Sequence, residues 1–595
     1  MGTKTALSAV FVPNFEGSSP ASRQPTIALV HICLVAPNDA LKDPRARVSL
    51  YLLERAGHRV SVVVPEPKAG PDSLARRLLR RPRDRSQTLT DTLTRKAVAS
   101  QAQLFIPTDP RSLDAAIAAA RATEGVVSRP PKFGHAGDVD LIDLAPRHPG
   151  LAPSAAGLGV FHTPEDTRKP YTPEPGRHSD RKVVLCYRRS DINPGKYLEE
   201  GLRRSGAQIR VETEGIDLGE VDPATDFIIF VEGPYPALEV TGYTGVPTLF
   251  WFHHGEHHLH ANLRLADRYQ ADAVLMAHSW HLAYWLPAPV HRFPFGVATE
   301  LLDPSRHHSD RRYDVAMVGA KLRSGGPYGR RQQLVAELES SLPSERLGFA
   351  EQVSAEEMAA LYGNARIVIN EGGIRHFPIT MRVLEAVGSG AVLLSDDLPG
   401  MEMLLESVSH YSRLGEDVVA DVRRLLADPD RLQTMADSAL ERALGLHTYD
   451  HRVDELFEIA AITEKRRIGS QPKRSELGEA IAQDVEVQRV AQFGAPELAE
   501  QLPDREVWEA ESLDPRRLGP GKMETVAIRA DNTNGLEELL RAARRYIYVD
   551  AQTDGLQVFI DGECPGAIME RRGPVTRVDL MAPSYRIMPF ELEQS

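Results

Sequence analysis

Residues whose types suit binding of a phosphorylated ligand concentrate between residues 313 and 452. The apolar stretch at 313–318 ends at Gly319, and a loop rich in glycine and arginine leads from it to Arg330 and Arg331. A glycine lets the backbone approach a ligand closely, and an arginine fork matches the oxygens of a phosphate. The residue types therefore predict an anion site directly after this apolar stretch.

A second set of candidates begins at the end of the next apolar stretch, ARIVIN, and continues through the helix that is predicted after it. Its members are Asn370, Glu371, Gly372, Gly373, Arg382, Glu385 and Gly390. In an open parallel sheet, ligands bind at the carboxyl ends of the strands, and helix N-termini there favour a diphosphate. Because a carboxylate such as Glu385 suits the hydroxyls of a ribose, the whole pattern predicts a nucleotide-diphosphate pocket.

The elements that must position these residues alternate between short apolar strands and amphipathic helices, which indicates parallel α/β domains. The stretch at 145–180 differs because seven of its 36 residues are proline, which is typical of a linker. We predict a tail at 1–25, an accessory Rossmann-like α/β module at 26–144, a Pro-rich linker at 145–180, two tandem Rossmann-like domains at 181–298 and 299–465, and an accessory α/β module at 466–595.

Composition narrows the class of protein. The 595-residue chain has a net charge of −13, which disfavours nucleic acid as its main partner. No apolar run is long enough for an integral membrane segment, and the first residues lack the apolar core of a signal peptide. The three cysteines are far apart, which predicts neither a disulfide framework nor a cysteine-rich metal site and favours a cytoplasmic location.

Several segments resemble one enzyme family. The segment RVLEAVGSGAVLLSDDLPGMEMLL is similar to the donor-binding stretch of group 1 retaining glycosyltransferases, and FPFGVATELLDP and HTYDHRVDELF resemble two further segments of that family. The pair Arg382 and Glu385, with the lead-in NARIVIN, is closest in style to the spore-maturation (CgeB-like) branch. The resemblance covers about residues 181–465 and implies a GT-B fold, which here would carry extra N- and C-terminal α/β modules.

The resemblance also implies an activity. A sugar would pass from a UDP- or GDP-sugar to an acceptor that the sequence does not identify, with retention of configuration. Neither a metal nor another cofactor would be needed, since arginines would neutralise the diphosphate. The family's paired glutamates are only half present, because Glu385 matches the second acid whereas Phe377 stands eight residues before it.

The resemblance implies a role for each candidate residue. The arginines would bind the diphosphate, Glu385 would hold the ribose, and Asn370 with Gly372 and Gly373 would flank the phosphates. The two residues expected closest to the sugar are His253, which follows an apolar strand, and Glu371. Gly319 and Gly390 complete the expected donor-binding set.

Two alternatives stay open. A non-catalytic nucleotide-sugar-binding or scaffold protein would also explain an incomplete glutamate pair and large terminal modules, through which the chain could form a homo-oligomer. A zinc hydrolase using His253, Glu256 and His257 is a minor alternative. It needs these residues on one helix, whereas a strand runs directly into them and Gly255 interrupts them.

Overall fold

A computed structural model of the protein describes residues 31–35, 44–64, 82–102, 104–107, 112–123, 126–127, 169–190, 193–233, 237–252, 259–278, 285–286, 288–319, 329–351, 353–371, 379–396, 398, 401–466, 473–509, 523–529, 543–550 and 567–580. The predicted α/β class is confirmed, with two tandem Rossmann-like domains flanked by an α/β domain at each end. The predicted tail at 1–25 lies outside the described residues, as does most of the predicted linker.

The first domain is a small parallel sheet. Its strands are β1 His31–Val35, β2 Arg59–Val63, β3 Leu104–Pro107 and β4 Val126–Val127, and its helices are α1 Pro44–Arg55, α2 Pro82–Ala99 and α3 Leu113–Thr123. The strand order is β2-β1-β3-β4, with every pair parallel. Residues 32–35 of the central strand β1 are fully buried, as expected for a continuous apolar run in a sheet covered on both faces.

The second domain is a six-stranded parallel sheet. Its strands are β5 Lys182–Cys186, β6 Gln208–Glu212, β8 Phe227–Val231, β10 Thr248–Phe252, β11 Ala273–Met276 and β12 Val290–Arg292, with helices α4 Gly195–Arg204 and α5 Leu259–Arg268. The order is β12-β11-β10-β8-β5-β6, and β7 Gly215–Asp217 pairs separately with β9 Glu239–Thr241.

The third domain is a five-stranded parallel sheet. Its strands are β13 Tyr313–Val318, β14 Leu347–Ala350, β15 Ala365–Asn370, β16 Val392–Ser395 and β17 Tyr411–Arg413. Its helices are α6 Gly329–Ser341, α7 Ala355–Gly363, α8 Arg382–Gly388, α9 Val418–Leu426 and α10 Pro429–Leu446, followed by α11 Tyr449–Ile462. The order β14-β13-β15-β16-β17 reverses direction between β13 and β15, which makes the gap between them the topological switch point.

The fourth domain contains a strand where the local sequence suits a helix. Residues 466–505 are rich in polar residues, yet they include one strand besides the helices α12 Glu476–Gln483 and α13 Leu498–Gln501. The strands of this domain are β18 Arg489–Phe493, β19 Glu506–Glu509, β20 Met523–Arg529, β21 Ala543–Asp550, β22 Ile568–Arg572 and β23 Val575–Asp579, in the order β19-β18-β20-β21-β23-β22. β18 carries polar residues that are typical of helix surfaces, but pairing with β19 and β20 on either side makes it a central strand.

Two chain crossings join the second and third domains. The N–H of Val297 donates to the carbonyl of His447 at 2.7 Å, and the N–H of Tyr449 donates to the carbonyl of Val297 at 3.1 Å. Gly296 is required for this approach, because a Cβ there would lie 2.7 Å from the nitrogen of Tyr449. After the second crossing α11 packs against α4 of the second domain, so the crossings form a hinge between the two domains.

Residues 169–180, which we call the strap, belong to the predicted linker but pack against this hinge. The N–H of Tyr171 donates to the carbonyl of Gly445 at 3.0 Å, and the ring of His178 stacks on Phe457 with centroids 4.0 Å apart. The guanidinium of Arg177 pairs with the carboxylate of Asp454. The proline content suits this extended path along a helix as well as it suits a free linker.

Helix α5 of the second domain contacts both terminal domains. Arg264 donates to the carboxylate of Asp504 at 2.8 Å and to the carbonyl of Val485 at 2.7 Å, both in the fourth domain. Arg55 of α1 pairs with Asp267 of α5 at 2.5 Å. The terminal domains therefore pack on the second domain, and among the described residues no helix is long and apolar enough to cross a membrane.

Candidate functional site

The candidate site is the crevice at the switch point of the third domain. Gly319 directly follows β13, and Asn370 ends β15, so both lie at the carboxyl edge of neighbouring parallel strands. This is the place where open α/β sheets bind their ligands. Two of the predicted residues are thus brought together by the topology.

Two arginines converge on Gly319. A Cβ built on this glycine would lie 2.8 Å from Nη1 of Arg331 and 3.3 Å from Nη2 of Arg382. Any side chain at Gly319 would therefore have to displace one or both guanidinium groups. The structure places α6, which carries Arg331, and α8, which begins at Arg382, on the two sides of the crevice.

Arg331 is paired with Glu371. Its Nε donates to Oε2 of Glu371 at 3.2 Å, and its Nη2 donates to the carbonyl oxygen of Glu371 at 3.2 Å. The side chains are 5% and 6% exposed, so this ion pair is buried. The Glu371 carboxylate, predicted to contact a sugar, is therefore engaged by an arginine of the same site.

Asn370 orients the second arginine. Its fully buried Oδ1 accepts hydrogen bonds from Nη1 of Arg382 at 3.1 Å and from the hydroxyl of Thr380 at 3.2 Å. Its Nδ2 donates to the hydroxyl of Ser395 at 2.9 Å, at the end of the neighbouring strand β16. All polar atoms of the Asn370 amide have partners, so this side chain serves as a fixed support for Arg382.

Arg330 reaches a residue that the sequence analysis missed. Its Nη1 donates to Oδ1 of Asp396 at 2.7 Å, and the side chains are 46% and 11% exposed. Asp396 directly follows β16 and so shares the carboxyl edge with Asn370. A polar residue placed directly after an apolar strand was the available signal for Asp396, and Ser395 is the last residue of that strand.

The three arginines differ in their partners. Arg330 and Arg331 each face a carboxylate, whereas Arg382 donates to the neutral amide of Asn370. A carboxylate partner offsets much of a guanidinium charge, while an amide leaves it in place. Arg382 therefore differs from the other two arginines in having a neutral hydrogen-bond partner, with the Glu385 carboxyl one helical turn away.

Glu385 lies one turn along α8 from Arg382. Burial raises the pKa of its carboxyl from 4.5 to about 7, against the opposing effect of Arg382. The Glu385 charge in turn contributes to the raised pKa values of Tyr362 and Tyr449, in both cases after burial. Since Tyr449 begins the helix that returns to the second domain, Glu385 lies at the border between the two domains.

Gly390 does not join this group. It lies between the end of α8 and the start of β16, at the amino edge of the sheet and opposite the crevice. Its φ is +67°, and a Cβ there would lie 2.8 Å from Nη2 of the buried Arg311. These features explain the glycine as a requirement of the turn and of close packing.

Five predicted residues lie outside the part of the chain that the structure describes. They are His253, Glu256, His257, Gly372 and Gly373. β10 ends at Phe252, directly before the histidine-rich segment, as expected from the apolar sequence. Among the described residues no group of three or more His, Cys, Asp or Glu could hold a metal ion.

The second domain has a polar cluster at its own carboxyl edge that the sequence analysis also missed. Glu232 directly follows β8, is buried, and accepts a hydrogen bond from Nδ2 of Asn262 at 3.3 Å. Nδ2 of Asn193 donates to its carbonyl at 3.2 Å. The switch point of this sheet, between β5 and β8, is thus lined by polar groups as well.

Comparison with curated proteins finds no match to this chain. Among solved structures, sucrose-phosphate synthase from Thermosynechococcus elongatus is 12% identical, with a TM-score of 0.35, over 47% of this chain and 98% of that one. Anabaena HepE in complex with UDP and glucose is 13% identical, with a TM-score of 0.34, over 47% and 99%. Residues 300–458, which contain the whole crevice, match the model of the family described as glycosyl transferase-like.

Proposed function

We propose that the protein transfers a sugar from a nucleoside-diphosphate donor, bound in the switch-point crevice, to an acceptor bound between the second and third domains. The observation that carries this proposal is the convergence of Arg331 and Arg382 over Gly319, with Glu385 one helical turn away. It is supported by the glycosyl transferase-like family match over residues 300–458.

The chemistry assigned to the crevice is stabilisation of a leaving diphosphate. Breaking the bond between sugar and phosphate places negative charge on the phosphate, and preorganised guanidinium groups lower the energy of that state. Arg382 contributes a guanidinium that the neutral amide of Asn370 holds in place. This arrangement would make a metal ion unnecessary.

Glu385 would hold the ribose of the donor. Its ionised carboxylate accepts two hydroxyl hydrogen bonds well, and binding of a diol would favour ionisation of a group whose pKa is raised to about 7. We further propose that His253 contacts the sugar and that Gly372 and Gly373 flank the phosphates. Retention of configuration, the UDP or GDP base and the hexosyl nature of the group also belong to this proposal.

The hinge at Val297 and Tyr449 would allow the two domains to close over the donor. Closure excludes water, which would otherwise hydrolyse the activated donor. The polar cluster at Glu232 and Asn262 lies at the corresponding edge of the second domain and is the proposed side for the acceptor.

Calorimetry with UDP, GDP and TDP and their sugars tests donor binding. We expect one nucleotide to bind wild-type protein, and Arg382→Met to weaken that binding by about 1.5–3 kcal/mol, the scale of a lost hydrogen bond to a charged group. Arg424→Met, which removes a half-exposed arginine from α9, is the matched control and should bind normally. Absence of binding to every nucleotide would contradict the proposal.

Turnover of the bound donor, with and without mixtures of candidate acceptors, separates a transferase from a non-catalytic binding protein. We expect turnover to continue in EDTA because arginines neutralise the diphosphate. Binding without any turnover would favour the scaffold alternative. Activity that disappears in EDTA and returns with zinc would favour the zinc hydrolase.

A further inference from the structure

We propose that Glu371 is a positioning residue that holds Arg331 in the geometry for binding a diphosphate, and that it does not touch the transferred sugar. This inference rests on the proposed function of the crevice and deepens it. It replaces the expectation from sequence that Glu371 is a carboxylate at the reacting sugar.

The contact between Glu371 and Arg331 has two points. The carboxylate accepts from Nε and the backbone carbonyl accepts from Nη2, each at 3.2 Å. Hydrogen bonds from two nitrogens of a planar guanidinium fix both its position and the orientation of its plane. Nη1 of Arg331 then lies beside Gly319, 2.8 Å from where a Cβ would stand.

Burial makes this contact costly to break. Both side chains are almost fully buried, so moving the Glu371 carboxylate away from Arg331 would separate a buried ion pair. An unpaired buried charge is strongly destabilising. The pair is therefore a fixed unit of the site, and Arg331 is its ligand-facing end.

The neighbouring residue performs the same task for the other arginine. Asn370 orients Arg382 through its amide oxygen, and Asn370 and Glu371 are consecutive at the end of β15. The end of one central strand thus sets both guanidinium groups that meet over Gly319. A strand that is hydrogen-bonded on both sides gives these supports a rigid base.

Three possible roles of Glu371 predict different results for Glu371→Gln and Glu371→Ala. A catalytic carboxylate predicts that Gln abolishes turnover while donor binding persists. A simple negative charge beside the site predicts that both variants bind the diphosphate more tightly. A positioning residue predicts that Gln, which keeps an acceptor for Arg331, preserves function, whereas Ala, which lacks one, loses diphosphate binding.

The experiment measures binding of the nucleoside diphosphate that the wild-type protein prefers, binding of the same nucleoside without phosphate by ligand-observed NMR, and turnover. For Glu371→Gln we expect diphosphate affinity and turnover within about threefold of wild type. For Glu371→Ala we expect diphosphate affinity to fall about tenfold or more, with nucleoside affinity unchanged. A residue that only stabilises the fold would not give this pattern. Its removal would weaken binding of the nucleoside as well as the diphosphate, and Glu371→Gln would not selectively restore diphosphate binding.

A second comparison covers the case in which Glu371→Ala fails to fold. The double variant Arg331→Met, Glu371→Leu removes both buried charges, which is tolerated better than removing one. We expect it to fold and to bind the diphosphate as weakly as Arg331→Met alone, because Glu371 acts only through Arg331. A further loss in the double variant would overturn the inference.

Other results would also overturn it. Loss of turnover in Glu371→Gln with normal donor binding would establish a catalytic carboxylate, and normal or tighter diphosphate binding by Glu371→Ala would show that Arg331 needs no support. In both cases the crevice would remain a donor site. If wild-type protein binds no nucleoside diphosphate, the proposed function itself fails and the inference fails with it.

Discussion

Two buried arginines at opposite edges of the third-domain sheet use their guanidinium groups differently. Arg311, at the amino edge, donates to four backbone carbonyls, those of Arg306, Tyr362, Ala365 and Ser389. Arg331, at the carboxyl edge, is held by Glu371 and turns Nη1 toward Gly319. The first joins three chain segments, whereas the second is oriented by a carboxylate beside a crevice.

The difference shows that burial and residue type alone do not mark a functional arginine. An arginine whose donors all meet backbone oxygens serves the fold, because nothing remains for a ligand. An arginine supported by a side chain from the end of a central strand is oriented for use. The same contrast separates Gly390, which approaches Arg311, from Gly319, which approaches Arg331 and Arg382.

The largest expected effect is a loss of stability when Arg311, at the amino edge of the third-domain sheet, is replaced. Arg311→Met should lower the free energy of unfolding by about 3–4 kcal/mol, because four backbone carbonyls, three of them in buried contacts, would lose their donor. Nucleotide affinity of the folded protein should change little. Urea unfolding and calorimetry measure the two effects.

Arg312→Met is the matched control, since Arg312 is the next residue and is exposed. It should change stability by less than about 0.5 kcal/mol. Equal stability losses in Arg311→Met and Arg312→Met would mean that the backbone contacts of Arg311 do not stabilise the fold.

A smaller effect, on binding, is expected at the carboxyl edge. In Gly319→Ala the new methyl group would meet Nη1 of Arg331 at 2.8 Å, and the guanidinium groups would have to move. We expect diphosphate affinity to fall by about 1–2 kcal/mol and the unfolding free energy to stay near wild type, because flexible side-chain ends can yield.

Gly245→Ala provides the control, since a Cβ at Gly245 meets nothing within 4 Å. Its nucleotide affinity should equal that of wild type. Normal binding by Gly319→Ala would mean that the two arginines do not form the anion site.

The smallest effect is expected from the titration of Glu385. Its pKa is raised from 4.5 to about 7, so below pH 4.5 both folded and unfolded states are protonated and the full contribution to stability is present. As pH rises from 4.5 to 7 the unfolded state loses its proton first, and stability falls. The change should be about 1 kcal/mol, because Glu385 keeps part of its surface in solvent.

Urea unfolding of wild type and Glu385→Gln at pH 5 and pH 8 checks this expectation. The Gln variant should lose this part of the pH dependence, because Gln has no proton to release. An identical pH dependence in both proteins would mean that Glu385 titrates normally.

Much of the site was predictable because apolar runs mark buried strands and polar residues directly after them mark the ligand-binding edge. That pattern places Asn370 after one strand and Gly319 after another. It could equally have found Asp396, which follows β16 in the same way. Helix α9 was also predictable, since Val418, Val422 and Leu425 have helical spacing and are all buried.

Other elements were not predictable from local pattern. β18 is a strand because two neighbours pair with it, although its own residues suit a helix. The strap at residues 169–180 has the composition of a linker, yet it packs on α11 through contacts with residues more than 270 positions away. Such contacts depend on where the chain returns, and no window of sequence contains that information.

The sequence by itself therefore determined the α/β alternation and the arginines, glycines and carboxylates available to a diphosphate site. Periodicity and residue chemistry are local properties, and local properties can be read along the chain. Only the tertiary structure decided that Glu371 pairs with Arg331, that Asn370 supports Arg382 and that Gly390 lies at the far edge. These relations depend on the order of strands in the sheet, because strand order sets which carboxyl ends meet at the switch point.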